Sequence, residues 1–204
     1  MQTAILTPWE SSFGFSGGNE GKGIVGAVYD RAYLSREVCV FELKSISADA
    51  IPEALAKAER YRLLSEPVQA ESICEDILRI DPNNQQAVVT LVLSLTDQME
   101  SSATAQRAQK WLSRLNGEYE RNYYAGIIAE RLGLACMRHQ GPGFSFQAYE
   151  WFREAMAHFE KAESLHPPGN DDAILRWNAC ARTLNSHPEL RPRPEESYEP
   201  IIGE

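Results

Sequence analysis

From about residue 46 onward, apolar residues recur at three- and four-residue spacing, interrupted by short polar or proline-bearing breaks, a pattern that predicts successive helices. The first helix is expected over 51–64, where Ser47 or Asp49 can accept hydrogen bonds from its exposed amides and Pro52 suits the first turn. Ser65-Glu66-Pro67 breaks it. A second helix follows over 68–80, with Ala70, Ile73, Cys74, Ile77 and Leu78 on one side, so the two form an antiparallel hairpin. Asp81-Pro82-Asn83-Asn84 ends that hairpin and offers an asparagine cap to the next helix, 85–99. After Ser101-Ser102, a helix through Ala105, Ala108, Leu112 and Leu115 closes at Asn116-Gly117, where glycine can take left-handed dihedrals. A third hairpin is expected from 119–138 and 144–165, separated by Gln140-Gly141-Pro142-Gly143 and stopped by Pro167-Pro168-Gly169. A last helix, 170–184, has Asn170 as its cap and Asp171 and Asp172 at the positive end of its dipole.

The flanks differ in character. Residues 1–45 are glycine-rich and read as a flexible extension or as a short β-hairpin of 24–29 and 38–43. Residues 188–204 are rich in charge and proline with little to bury, and are expected to be a disordered tail. The helical domain between them is placed at 46–187.

One spacing occurs twice, as Ala70, Cys74, Pro82 and as Ala155, Phe159, Pro167. It follows the A-x3-F…P half of the tetratricopeptide pattern, in which a small residue admits a neighbouring helix, a larger one fills the gap and proline ends the helix. The chain therefore resembles the tetratricopeptide repeat family over about two-thirds of its length. In the first half of the unit, Ala54, Lys57, Ala58 and Tyr61 fill the motif slots of repeat one, Val88, Leu91, Val92 and Leu95 those of repeat two, and Ala125, Ile128, Ala129 and Leu132 those of repeat three. Ala58 to Val92 is the family period of 34 residues, whereas Val92 to Ala129 is 37. Lys57 in an apolar slot and the missing tryptophans depart from the pattern, and the third repeat carries about 14 extra residues around Gly141.

The resemblance implies an all-α, right-handed superhelical stack of about three helix hairpins with a C-terminal capping helix, and a concave face that holds a peptide or helix. Leu55, Glu59 and Arg62, then Val89, Leu93 and Thr96, then Tyr123 and Glu130 would line that face. It has no regular set of Lys and Asn, so the carboxylate clamp of chaperone-binding members is not expected. The segment 138–146, with Arg138, His139 and Phe144, combines basic, flexible and aromatic groups in the stretched repeat and is a second candidate contact.

Charge and chemistry narrow the function. Lys and Arg number 20 against 29 Asp and Glu, and the net charge of −9 disfavours nucleic acid as a partner. No apolar stretch approaches the roughly 20 residues of a membrane span, and the chain is expected to be cytoplasmic. Cys39, Cys74, Cys136 and Cys180 stand singly, and His139, His158, His166 and His187 show no metal-binding pair, so no metal or cofactor is expected. The N-terminal glycines with Lys22 do not match the spacing of a phosphate loop. Glu150, Glu154 and His158 share a helix face and read as a solvated row, and Arg176 and Trp177 could stack on a ligand or seal the core. No nucleophile-elbow motif is present. The expectation is a non-catalytic scaffold for a protein or peptide partner, with homo-oligomeric self-association as the alternative.

Overall fold

The computed structural model describes residues 41–99, 102–139 and 141–193. The expectations for the glycine-rich segment fall almost wholly outside those residues. The chain divides into Met1–Leu43 and Lys44–Glu204, and every described helix belongs to the second unit. These are α1 (Ile51–Leu63), α2 (Pro67–Ile80), α3 (Gln85–Asp97), α4 (Ser102–Leu112), α5 (Glu118–Arg138), α6 (Pro142–Leu165) and α7 (Asp172–Ser186). The fold is all-α, with no strand among the described residues, and no described helix is long and apolar enough to cross a membrane.

Local chemistry explains most of the boundaries. The 3-10 turn Ala48–Ala50 leads into α1 without a side-chain cap from Ser47, and Pro52 lies in the first turn. Asn84 caps α3 as expected, its side-chain oxygen accepting from the Ala87 amide at 3.0 Å. Two expectations fail here. Gly117 is not left-handed: it takes extended dihedrals (φ −86°, ψ 148°) and heads α5. The Gly141-Pro142-Gly143 run does not delay α6 to Phe144. Gly141, at φ 127°, turns the chain and α6 starts at once on Pro142, because proline in a first helical turn forfeits no intrahelical hydrogen bond.

Each helix packs on its sequence neighbours, and α3 also touches α1 and α5. One core cluster includes Cys74, Ile77, Leu91 and Leu95 from α2 and α3. A second gathers Ile127, Phe152, Phe159 and Cys180 from α5, α6 and α7. Tyr124 and Trp151 pack against both, so the two are continuous. Ala70, Cys74, Ala155 and Phe159, the residues of the repeated spacing, are all fully buried. Lys57 is exposed, its ammonium 5.9 Å from the Tyr61 ring centroid, so no charge is buried in that slot.

The tightest helix contact is between α5 and α6. A Cβ on Gly126 would stand 2.5 Å from the Phe159 ring, and one on Gly133 would stand 3.0 Å from Phe152. Two glycines seven residues apart on α5 thus receive two phenylalanines seven residues apart on the antiparallel α6. Burying each phenylalanine contributes about 1.5–3 kcal/mol.

Candidate functional site

The third hairpin is the anomaly the sequence pointed to, but its extra length is helical. Helices α5 and α6 have 21 and 24 residues, against 13 and 11 in α3 and α4. The loop expected over 138–146 is largely taken up by helix, since α5 runs to Arg138 and α6 begins at Pro142. Gln85, at the start of α3, donates to the Arg114 carbonyl at 3.2 Å and accepts from the Asn116 amide at 2.9 Å. This ties the beginning of α3 to the connection that leads into α5. Starting level, α5 outruns α3 by eight residues, about 12 Å at 1.5 Å per residue.

The overrun leaves a groove of about 550 Å³. Its apolar lining includes Met99, Leu132, Cys136, Phe144, Phe146 and Trp151. His139 and Phe144 stack across the turn with centroids 4.9 Å apart, and Phe144 remains 39% exposed. Glu150 and Glu154 line the groove on the α6 side, and Arg193 lines it as well. Both glutamates are exposed, with no ion pair among the described residues. Burial raises the Cys136 thiol above its ordinary range, so it stays protonated and apolar at neutral pH.

The other expected contact residues divide sharply. Leu55 and Thr96 are buried, at 7% and 3% exposure, and pack inward instead of lining an open face. Glu130 is 7% exposed and paired with Arg176 at 3.4 Å, an ion pair that fixes α7 to α5. Trp177 donates to Glu160 at 2.9 Å. Arg176 and Trp177 therefore serve the fold. Tyr123 stacks on Tyr119 with centroids 5.7 Å apart and meets Tyr124 edge-on. Glu59 is exposed and accepts from Gln86 at 2.8 Å, and Val89 and Leu93 are half-buried. Arg62 pairs with Asp97 at 2.8 Å, and Arg138 is exposed at the end of α5.

Sequence reasoning missed Met99 and Leu132 as groove residues, and gave Trp151 only a place among aromatics that are mostly core. All three fall on apolar helical positions. Only the unequal helix lengths uncover them. The core also reaches past the boundary expected at 187, since Leu190 is 7% exposed and packs with the second core cluster. Among the described residues, no group of three or more His, Cys, Asp or Glu could hold a metal ion. No family model matches this chain, and no curated protein or solved structure matches it either.

Proposed function

We propose that this chain is a non-catalytic, cytoplasmic protein-interaction scaffold of tetratricopeptide type. In this reading three helix hairpins stack as a right-handed superhelix capped by α7, and the stretched third hairpin holds a helix of a protein partner. The observation that carries the proposal is the groove left by the overrun of α5 and α6, apolar on its floor and edged by Glu150 and Glu154. An amphipathic helix whose apolar face carries a large anchor, flanked by Lys or Arg, matches that floor and edge. One buried Leu or Phe anchor contributes about 1.5–3 kcal/mol, and packed aromatic anchors commonly dominate such interfaces. The unpaired cysteines Cys74, Cys136 and Cys180 agree with a reducing compartment.

The test compares proteins retained from lysate by the native chain and by Phe144→Glu. Because Phe144 is exposed and at the first turn of α6, the variant is expected to keep its helical circular dichroism and lose the retained partner. Identical partners on both chains would contradict the groove as the site.

A second reading, self-association, has one observation in its favour: Leu63, Leu64 and Val68 are 87%, 64% and 59% exposed around the α1–α2 turn. Light scattering at micromolar concentration separates the two, a monomer removing the second.

A further inference from the structure

A chain with net charge −9 gathers three guanidinium groups in one groove. Arg62 from α1 and Arg131 and Arg138 from α5 line a cavity of about 500 Å³, and Asp97 is the one carboxylate lining it among the described residues. Asp97 is largely taken by Arg62, whose Nε and Nη2 lie 2.9 and 2.8 Å from the same Oδ2. Its Oδ1 is 3.9 Å from Arg131 Nη2, beyond hydrogen-bond range. Arg131 Nε is buried with no hydrogen-bond partner among the described residues. Arg138 makes no ion pair among the described residues and is exposed. Among the described residues the groove therefore carries two more positive than negative groups, rimmed by apolar Leu63, Pro67 and Met99.

Separation decides the ligand. Arg131 and Arg138 are two turns apart on α5, about 10.5 Å along its axis. Two carboxylates spaced along a partner can each meet one guanidinium without bending either side chain toward the other, which a single phosphate would require. In an extended polyproline-type peptide, side chains three residues apart return to one side after about 9.3 Å. We propose that this groove binds an acidic peptide segment of a protein partner, with carboxylates at positions i and i+3 facing Arg131 and Arg138 and an apolar residue between them on Leu63 and Met99. This rests on the scaffold reading for its ligand class, but apart from Met99, which borders both, its residues are not those of the α5–α6 aromatic groove, and the arginines tested here have no part in that groove, so either can fail alone.

The test uses a fluorescent, end-capped peptide with a Glu-Leu-Ala-Glu core, its Gln-Leu-Ala-Gln counterpart and a singly phosphorylated Ser version without glutamates. Anisotropy is read on the full chain at low and at 0.5 M salt. The net negative charge disfavours acidic peptides over the surface as a whole, and the response to Arg138→Gln assigns the binding to this groove. The acidic peptide is expected to bind about tenfold tighter than the amide at low salt and to lose most of that advantage at 0.5 M. Arg138→Gln is expected to weaken it about threefold or more, in line with one solvent-exposed ion pair. Asp97→Asn, which removes the competing carboxylate, is expected to tighten it, an effect that mere support of the fold would not produce. Phe144→Glu is expected to leave it unchanged. Equal binding of acidic and amide peptides, indifference to Arg138→Gln, or preference for the phosphorylated peptide would overturn the proposal.

Discussion

His158 lies half-buried on α6 beside Glu154, Trp151 and Leu112, and its Nδ1 is buried without a hydrogen-bond partner among the described residues. Burial lowers its proton affinity, Glu154 opposes that shift and Lys161 adds to it. The unfolded chain, with His158 near its ordinary 6.5, therefore takes up a proton first as pH falls. The stability given by neutral His158 is complete above 6.5 and declines as pH passes below it toward the lower folded value. Urea unfolding at pH 7.5 and 5.5 should show a larger drop for the native chain than for His158→Gln, and equal drops would contradict this. Two cysteines show the same physics in the opposite direction. Burial pushes the Cys74 and Cys180 thiols up to about 12, which keeps them inert as apolar fillers. At this scale the sequence was legible where spacing implied burial, as for Ala70, Cys74, Ala155 and Phe159. It was misleading for Leu55, Thr96 and Glu130, because adjacent positions on one helix face can fall on either side of the boundary between core and solvent.

Between elements, the α5–α6 contact turns on what its glycines allow. An alanine at 126 gains about 1 kcal/mol of helix propensity, but its Cβ would meet a fully buried Phe159 at 2.5 Å. Overpacking of that kind costs about 1–3 kcal/mol, so Gly126→Ala is expected to destabilise. At 133 the approach to Phe152 is 3.0 Å, and a slight yielding of the ring lets the propensity gain nearly cancel the cost. Thermal unfolding should show a clear fall for Gly126→Ala and little change for Gly133→Ala, and the reverse order would contradict the packing described. Helix identity and order were readable from period and breaks, and Asn84 caps where an asparagine was expected. What sequence could not fix was the helical start at Pro142. The same Gly-Pro-Gly run signals a loop when proline follows a turn and a helix start when proline occupies the first turn, and only packing against α5 selects between them.

For the whole molecule, the proposed function rests on one mismatch of length. Hairpins α1–α2 and α3–α4 are built from helices of 11 to 14 residues, and the third hairpin exceeds them at the end where Met99 closes α3. That overhang, not a flexible loop, turns Leu132, Cys136 and Trp151 into a groove floor. The sequence marked the neighbourhood through Arg138, His139 and Phe144 because the repeat departs from its period there. It could not mark the floor, whose residues look like ordinary core until the neighbouring helices are seen to stop short. Site-specific photo-crosslinking tests the scaffold reading most directly. A photoreactive residue replaces Phe144 in one chain and, as a control, the exposed Glu75 of α2 in another. An adduct with a different protein from position 144 and none from position 75 is the expected result. Adducts only with a second copy of this chain, or equal adducts from both positions, would contradict it.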